Sequence, residues 1–399
     1  MHETSDQTAL TRALLAVMAA ATGLAVASLY YAQPMLDTMA RAFGLSSTRA
    51  GLLVTVAQVG YALGLVLLVP LGDRFEKRRL IVGMTLLSAL GLAVTGSASG
   101  PVMLFAGTAF TGLFVVVAQL LVPFAASLAA PAQRGRAVGV VMSGLLIGVL
   151  LARTVAGGLV LAGGWRTVYF VAAGLMLACA VVLARMLPRH HTHAGMRYPR
   201  LLASVLLLLR DEPLLRARAA IGGLIFGAFS VLWTSLAFLL SRPPYGYHAS
   251  VIGLFGLVGA AGALSAAAAG RQGDRGHAAR NTLAGLLILL ASWSLILWGA
   301  RSLSALVAGI VLLDLAVQGV HVTNQGLIYR LPAGARNRLT SAYMTVYFIG
   351  GALGSFASGM AYEAGGWTGV CLAGAAFSGA ALLLALAWRG AAERAFGLA

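Results

Sequence analysis

The stretch Gly72-Asp73-Arg74-Phe75-Glu76-Lys77-Arg78-Arg79 joins two long apolar runs, and Gly273-Asp274-Arg275-Gly276-His277-Ala278-Ala279-Arg280 joins two more. A charged loop that returns at half the chain length marks two related membrane halves, each with such a loop after its second span. The repeat reaches further. Pro131-Ala132 before Arg134-Gly135-Arg136 returns as Pro332-Ala333 before Arg336-Asn337-Arg338, and Gly163-Gly164-Trp165 returns as Gly365-Gly366-Trp367. The offsets are 201 (273 − 72 and 332 − 131) and 202 (365 − 163). Landmarks that recur in one order, each six spans on, mean parallel repeats related by an axis along the membrane normal.

Composition permits little else. The chain has 399 residues, 60% of them hydrophobic and 10% charged, against roughly 25% charged in a soluble protein. Its 50 glycines suit helices that pack closely in lipid, where no hydrophobic drive pairs them. The net charge of +17 does not point to nucleic acid, because of where the charge lies. Of 28 Lys and Arg, 22 fall in loops and tails on one side of the spans, five (Arg41, Arg49, Arg166, Arg242, Arg301) on the other and one, Arg153, inside a span. That is the positive-inside pattern, with contact to anionic lipid headgroups on the basic side.

Apolar runs of membrane length occur at about 12–36, 49–71, 80–99, 102–129, 137–161, 167–187, 217–241, 250–270, 281–299, 304–329, 339–362 and 368–388. The expected fold is an all-α membrane protein of twelve transmembrane helices in two six-helix pseudo-symmetric bundles. The bundles are residues 1–187 and 217–399, with a linker over 188–216. An even number of spans puts both termini on the basic, cytoplasmic side. The polar stretch from Pro188 to Arg218 holds His190, His191, His193 and six Arg, and its short run Leu201–Leu209 predicts an interfacial helix. The His cluster reads as a solvated linker, so no metal site is assigned. Cys179 and Cys371 lie in apolar runs and indicate neither disulfide nor metal. The polar start, Met1 to Thr11, lacks the basic region and cleavage site of a signal peptide, so the first run is a retained span.

Gly72, Asp73, Arg74, Arg78 and Arg79 resemble the loop signature G-x-x-x-D-R-x-G-R-[RK] of the major facilitator superfamily, with Glu76 where a small residue is usual. Leu29-Tyr30-Tyr31-Ala32-Gln33-Pro34 and Tyr347-Phe348-Ile349-Gly350-Gly351-Ala352-Leu353-Gly354 resemble bacterial arabinose-efflux-type permeases, near the twelve-span drug:proton antiporters. The resemblance implies alternating access about a cavity lined by spans one, four, seven and ten, and a monomer in the bacterial inner membrane. Independently of the resemblance, Asp73 can pair with basic residues or cap a helix end, which makes Gly72, Asp73, Arg74, Arg78 and Arg79, with Asp274 and Arg275, a latch for the state closed to the cytoplasm; a plain topology anchor is the alternative. Two departures bear on the antiporter assignment. In span five Ala152 and Arg153 stand where antiporters carry Gly-Pro, and apolar Ala109 lies near the position of the signature Arg of span four. Gly144, Gly148, Ala152 and Ala156 still fall on one helix face, a smooth strip expected at the interface of the halves.

Charge within the membrane is costly enough to count as functional by default, and Arg153 and Asp314 are the residues well inside the expected spans. Asp314 is roughly 15 Å into span ten at 1.5 Å per residue. Gln318, His321 and Gln325 continue its face at i+4, i+7 and i+11, with Asn324 beside them. A carboxylate that exchanges a proton for a cation or an Arg partner is a coupling device. Asp314 is therefore the candidate proton group and His321 a candidate relay; the alternative is a structural pairing of Asp314 with a base such as Arg153. Arg153 itself either meets an anionic substrate group or ties span five to a neighbour. Tyr30, Gln33, Gln119 and Trp233, with Gln318, Asn324 and Gln325, are candidate cavity residues, amide and aromatic groups suited to a small amphipathic ligand. Packing is the other reading of each.

The chain has no G-x-x-x-x-G-K-[ST] loop for ATP and no soluble catalytic domain. The expectation is a non-enzyme without cofactor: a secondary transporter coupled to protons, exporting a small organic compound. Uptake by symport or facilitation is the alternative of the same fold, and a transport-inactive sensor or scaffold that of another class.

Overall fold

A computed structural model describes residues 11–130, 133–189, 198–259, 277–331 and 336–396. Asp274 and Arg275, the linker histidines, the side chain of Asp73 and the later part of the eighth span lie outside the described residues. Among these residues the secondary structure is helical throughout. In the first half the helices are α1 (Arg12–Ala27) and α2 (Leu36–Phe43), α3 (Ser47–Leu67), α4 (Lys77–Gly96), α5 (Pro101–Phe114) and α6 (Ala118–Leu128), α7 (Arg134–Gly163) and α8 (Trp165–Met186). The linker helix α9 (Tyr198–Asp211) follows, then α10 (Pro213–Leu240), α11 (Ala249–Val258), α12 (Ala278–Trp298), α13 (Leu303–Ile328) and α14 (Arg336–Phe396). This is the twelve-helix, two-bundle fold expected from the sequence.

Proline and glycine account for the departures from one helix per span. The first span runs on to Phe43, past its expected end, but is broken between Ala27 and Gln33. Pro34 has no N–H to donate and crowds the carbonyl four residues earlier. The fourth span is α5 and α6 joined by a 3-10 turn at Val115–Val117, with Pro123 inside α6. At about 1.5 Å per residue, α14 is far longer than a membrane is thick. It changes direction at Gly365 and Gly366, where Gly366 has φ +57°. Its repeat partner Gly164, 202 residues earlier (366 − 164), has φ +78°. The duplicated Gly-Gly-Trp motif is thus a left-handed turn that side chains disfavour, followed by a tryptophan that anchors it. Trp165 packs edge-on against Phe43 at 5.7 Å, and Trp367 donates to the Ile296 carbonyl at 2.8 Å.

Loops 44–46, 97–100, 163–165, 241–248 and 299–302 gather at one end, here the far end; the loop between α3 and α4 and the helix α9 mark the basic end. α10 is buried along nearly its whole length, as a helix apolar all round must be in a bundle. Leu63, Leu90, Ile147, Leu177, Leu287 and Leu383 point outward and make the lipid-facing belt.

The halves meet along two seams, α3 against the first arm of α14 and α7 against α11. Both are built on the same residue pairs. A Cβ on Gly51 would stand 3.4 Å from the Gly359 Cα, and one on Gly253 would stand 3.0 Å from the Gly157 Cα. Gly253 is Gly51 + 202 and Gly359 is Gly157 + 202. The seams are therefore images of one another, held by close backbone approach. At the far end the first is also pinned by the Thr48 N–H, which donates to Glu363 Oε2 at 3.2 Å, and by Thr55 and Ser355, whose hydroxyls lie 2.8 Å apart. The expected interface strip behaves otherwise: Gly144 and Gly148 press on Ala19 and Gly23 of α1, within their own half, and Gly350 and Gly354 press likewise on Gly223 and Gly227 of α10.

Candidate functional site

The break in the first span sets the site. Where Pro34 halts the helix, Tyr30 and Gln33 turn into the space between the halves, both buried. Arg153, 3% exposed, reaches the same space from α7. Its Nε donates to Gln33 Oε1 at 2.7 Å and its Nη1 reaches the Val149 carbonyl at 3.4 Å. Gly256 of α11 makes room, because a Cβ there would stand 2.9 Å from Arg153 Cβ.

The guanidinium sits in an aromatic box of both halves. Its carbon lies 3.9 Å from the centre of the Trp233 ring, 4.8 Å from Tyr30 and 5.6 Å from Phe229. Desolvated stacking of this kind contributes on the order of 2 kcal/mol, part of what offsets burying the charge. Trp233 then donates its indole N–H to Asp314 Oδ1 at 3.4 Å, and Asp314 is 4% exposed. The second oxygen of Asp314 faces Gly259, where a Cβ would stand 2.6 Å away. Among the described residues the ion pairs are Arg41–Asp37 and Arg79–Glu76. Arg153 and Asp314 are thus neighbours joined through one indole rather than a salt bridge.

Two donors in this cluster have no hydrogen-bond partner: Arg153 Nη2 and Gln33 Nε2. Burying an unpartnered donor costs about 1–3 kcal/mol, more when it is charged. The charges also break the repeat. Position 153 + 202 is Ser355, and 314 − 202 is Gly112, pressed against Ala57. Each half therefore contributes one charge to this cluster, opposite in sign, at positions the repeat does not duplicate.

The other sequence-predicted residues lie toward the basic end. From Trp233 a ladder of rings passes through Phe229 (6.0 Å), Phe226 (5.5 Å) and Tyr347 (4.2 Å) to His321 (4.6 Å). His321 Nδ1 lies 3.0 Å from the Tyr343 hydroxyl. Gln119 donates to Tyr61 at 3.0 Å and lines a cavity of 550 Å³ between the halves, together with Gly72, Lys77, Pro123, Tyr329 and Ser341. Gln318 and Gln325 are half-buried on α13. Asn324 sits apart, fully buried in its own half between Arg218 Nη1 (3.5 Å) and the Arg218 carbonyl (3.4 Å). In the charged loop Gly72 faces the cavity, Arg74 and Arg79 are exposed and Arg78 is half-buried.

Sequence reasoning passed over three groups. Glu76, treated only as a departure from a motif, is 7% exposed and holds Arg79 at 3.1 Å. Arg218, placed at a span edge, donates to Thr282 at 3.1 Å inside the second half. Asp37 and its partner Arg41 became part of the first span once that span proved longer; their i, i+4 spacing was the available signal.

A family model described as Major Facilitator Superfamily matches residues 16–324. YgaY of Escherichia coli strain K12, a putative transporter, is 57% identical over 381 residues, 96% of each chain. A probable transporter of Streptomyces coelicolor is 35% identical over 96% of this chain and 88% of its own. Among solved structures, a bacterial homologue of the human lysosomal transporter Spinster, inward-facing, superposes with a TM-score of 0.77 over 96% of each chain at 16% identity, a likeness of fold.

Proposed function

The chain belongs to the Major Facilitator Superfamily and is a transporter of that type, and from this membership we propose that it is a proton-coupled secondary transporter working by alternating access. It moves a small organic compound across the bacterial inner membrane, with basic loops and both termini cytoplasmic, as a monomer in contact with anionic lipid. The rocking units are residues 1–187 and 217–399, joined by 188–216. Export is the direction implied by the likeness to arabinose-efflux-type permeases, with Gly72, Asp73, Arg74, Arg78, Arg79, Asp274 and Arg275 as the cytoplasmic latch.

One observation carries the coupling: Asp314, a buried carboxylate of the second half, touches Arg153 of the first only through Trp233. Protonating Asp314 changes the field across the seam by a full charge in a low-dielectric site. It thus biases how firmly the halves hold each other there, a local event of the kind that drives a two-state change. Both closed seams and the cavity at the other end fit one extreme of such a cycle.

The test is Asp314→Asn in proteoliposomes. We expect loss of accumulation driven by a pH gradient with exchange of substrate retained. Undiminished accumulation would remove Asp314 from the coupling.

A second reading, uptake by proton symport, is favoured by the sign of the charges. With Asp314 ionised, Arg153 has a counter-charge across one indole. With Asp314 neutral, that positive charge is free to attract a substrate anion. Proton and anion would then bind together rather than compete.

A further inference from the structure

We propose that the donor pair of Arg153 and Gln33 is the binding site for the carboxylate of a small organic anion with an apolar body. The proposal rests on the reading of the chain as a transporter, because the site is sealed here and an alternating cycle is what would expose it.

Arg153 Nη2 and Gln33 Nε2 are both without a partner, on residues 3% and 2% exposed. They belong to side chains already locked together, since Arg153 Nε donates to Gln33 Oε1 at 2.7 Å. That bond fixes the amide so that its oxygen is used and its N–H₂ remains to donate. A guanidinium N–H and an amide N–H on side chains already bonded to each other are donors that one planar oxyanion can accept from. Asp314 does not fill that role, because Trp233 stands between it and the guanidinium. Around the donors are the rings of Tyr30, Phe229 and Trp233, which offer contact area to an apolar body. A neutral compound would bring no charge to these donors, and a cation placed at them would meet the guanidinium itself, with Asp314 behind Trp233. Among the described residues the second repeat does not duplicate the pair, since Ser355 stands at the position of Arg153.

Calorimetric titration of the purified protein tests this with three probes of one shape: benzoate, benzamide and benzylammonium. Saturable binding of benzoate alone is expected. Gln33→Leu should weaken it about tenfold and Arg153→Met should abolish it, the range expected for losing one neutral and one charge-assisted bond. Arg153→Lys, which keeps the charge but not the fork, should bind benzoate weakly and controls for folding. Absence of benzoate binding to the wild type, or binding equal in Gln33→Leu and wild type, overturns the proposal. Counterflow of a compound panel in proteoliposomes separates the two levels. Exchange of neutral or cationic compounds by a protein that ignores benzoate sinks the anion site and leaves the transporter standing. Benzoate binding without exchange of any compound supports the site and sinks the transporter.

Discussion

Trp233 stands between Arg153 and Asp314, with the guanidinium 3.9 Å from its ring and its indole N–H 3.4 Å from the carboxylate. A direct salt bridge would lock the two halves at this depth, because breaking a buried pair is expensive. An indole between the charges keeps them in register yet leaves each free to change partner. The arrangement suits a junction that must open once per cycle.

The indole's two functions can be separated. Trp233→Phe keeps a ring under Arg153 and removes the donor to Asp314. Transport should fall about tenfold, the scale of one hydrogen bond to a charged group. The same change in an Asp314→Asn background should cost little further, since the interaction is already altered. Equal losses in both backgrounds, read from initial rates in proteoliposomes, would show that the N–H does not act through Asp314.

Gly157 and Gly158 are neighbours with opposite expectations. A Cβ on Gly157 would stand 2.7 Å from the Ala249 carbonyl across the seam, whereas one on Gly158 meets nothing within 4 Å. Gly157→Ala should force the halves apart at the far end and lower the melting temperature, with overpacking costs of about 1–3 kcal/mol. Gly158→Ala should be neutral or stabilising by about 0.5–1 kcal/mol, the ordinary gain from replacing a helical glycine. Differential scanning fluorimetry of the two variants decides it; equal shifts would contradict the seam.

The far-end tether predicts a crosslink. The Thr48 N–H donates to Glu363 Oε2 at 3.2 Å across the halves, at an exposed position. With Thr48→Cys and Glu363→Cys, a short thiol reagent should join the halves and arrest transport. The native cysteines, Cys179 and Cys371, are both buried, so background labelling should be low. Transport that continues after complete crosslinking would rule out opening at that end.

Much of this molecule was legible in its sequence, and the repeat explains why. A motif that recurs 202 residues on reports a shared backbone need, as at Gly164 and Gly366, or a shared contact, as at the Gly51–Gly359 and Gly253–Gly157 seams. Membrane spans were readable because lipid forces every run to be apolar and long. The strip of Gly144 and Gly148 was readable as a packing surface, but not as one facing α1: spacing shows that a face is smooth, not what it meets. The central cluster was hidden for a related reason. Arg153 and Asp314 are 161 residues apart in the chain (314 − 153), and no local pattern says that Trp233 comes between them. Asn324 misled in the same way, because its position on α13 shows an angle and not the Arg218 that fills it.

The direction of transport follows from whether substrate and proton bind together or in turn, and the cluster makes a definite prediction. Arg153 and Asp314 are opposite charges of equal size in one sealed space. Adding an anion to the ionised pair leaves net negative charge in a low-dielectric site, whereas adding it to the pair with Asp314 protonated leaves the site neutral. Coulomb energies at these separations are several kcal/mol even at an effective dielectric of about 20, ample to couple the two bindings. An inward benzoate gradient in proteoliposomes loaded with a pH dye should therefore acidify the lumen faster than in protein-free liposomes, where benzoic acid alone carries protons in, and Asp314→Asn should lower the rate to that background. Acidification beyond that background would favour the uptake reading, whereas alkalinisation of the lumen would mean exchange and would support the proposed export.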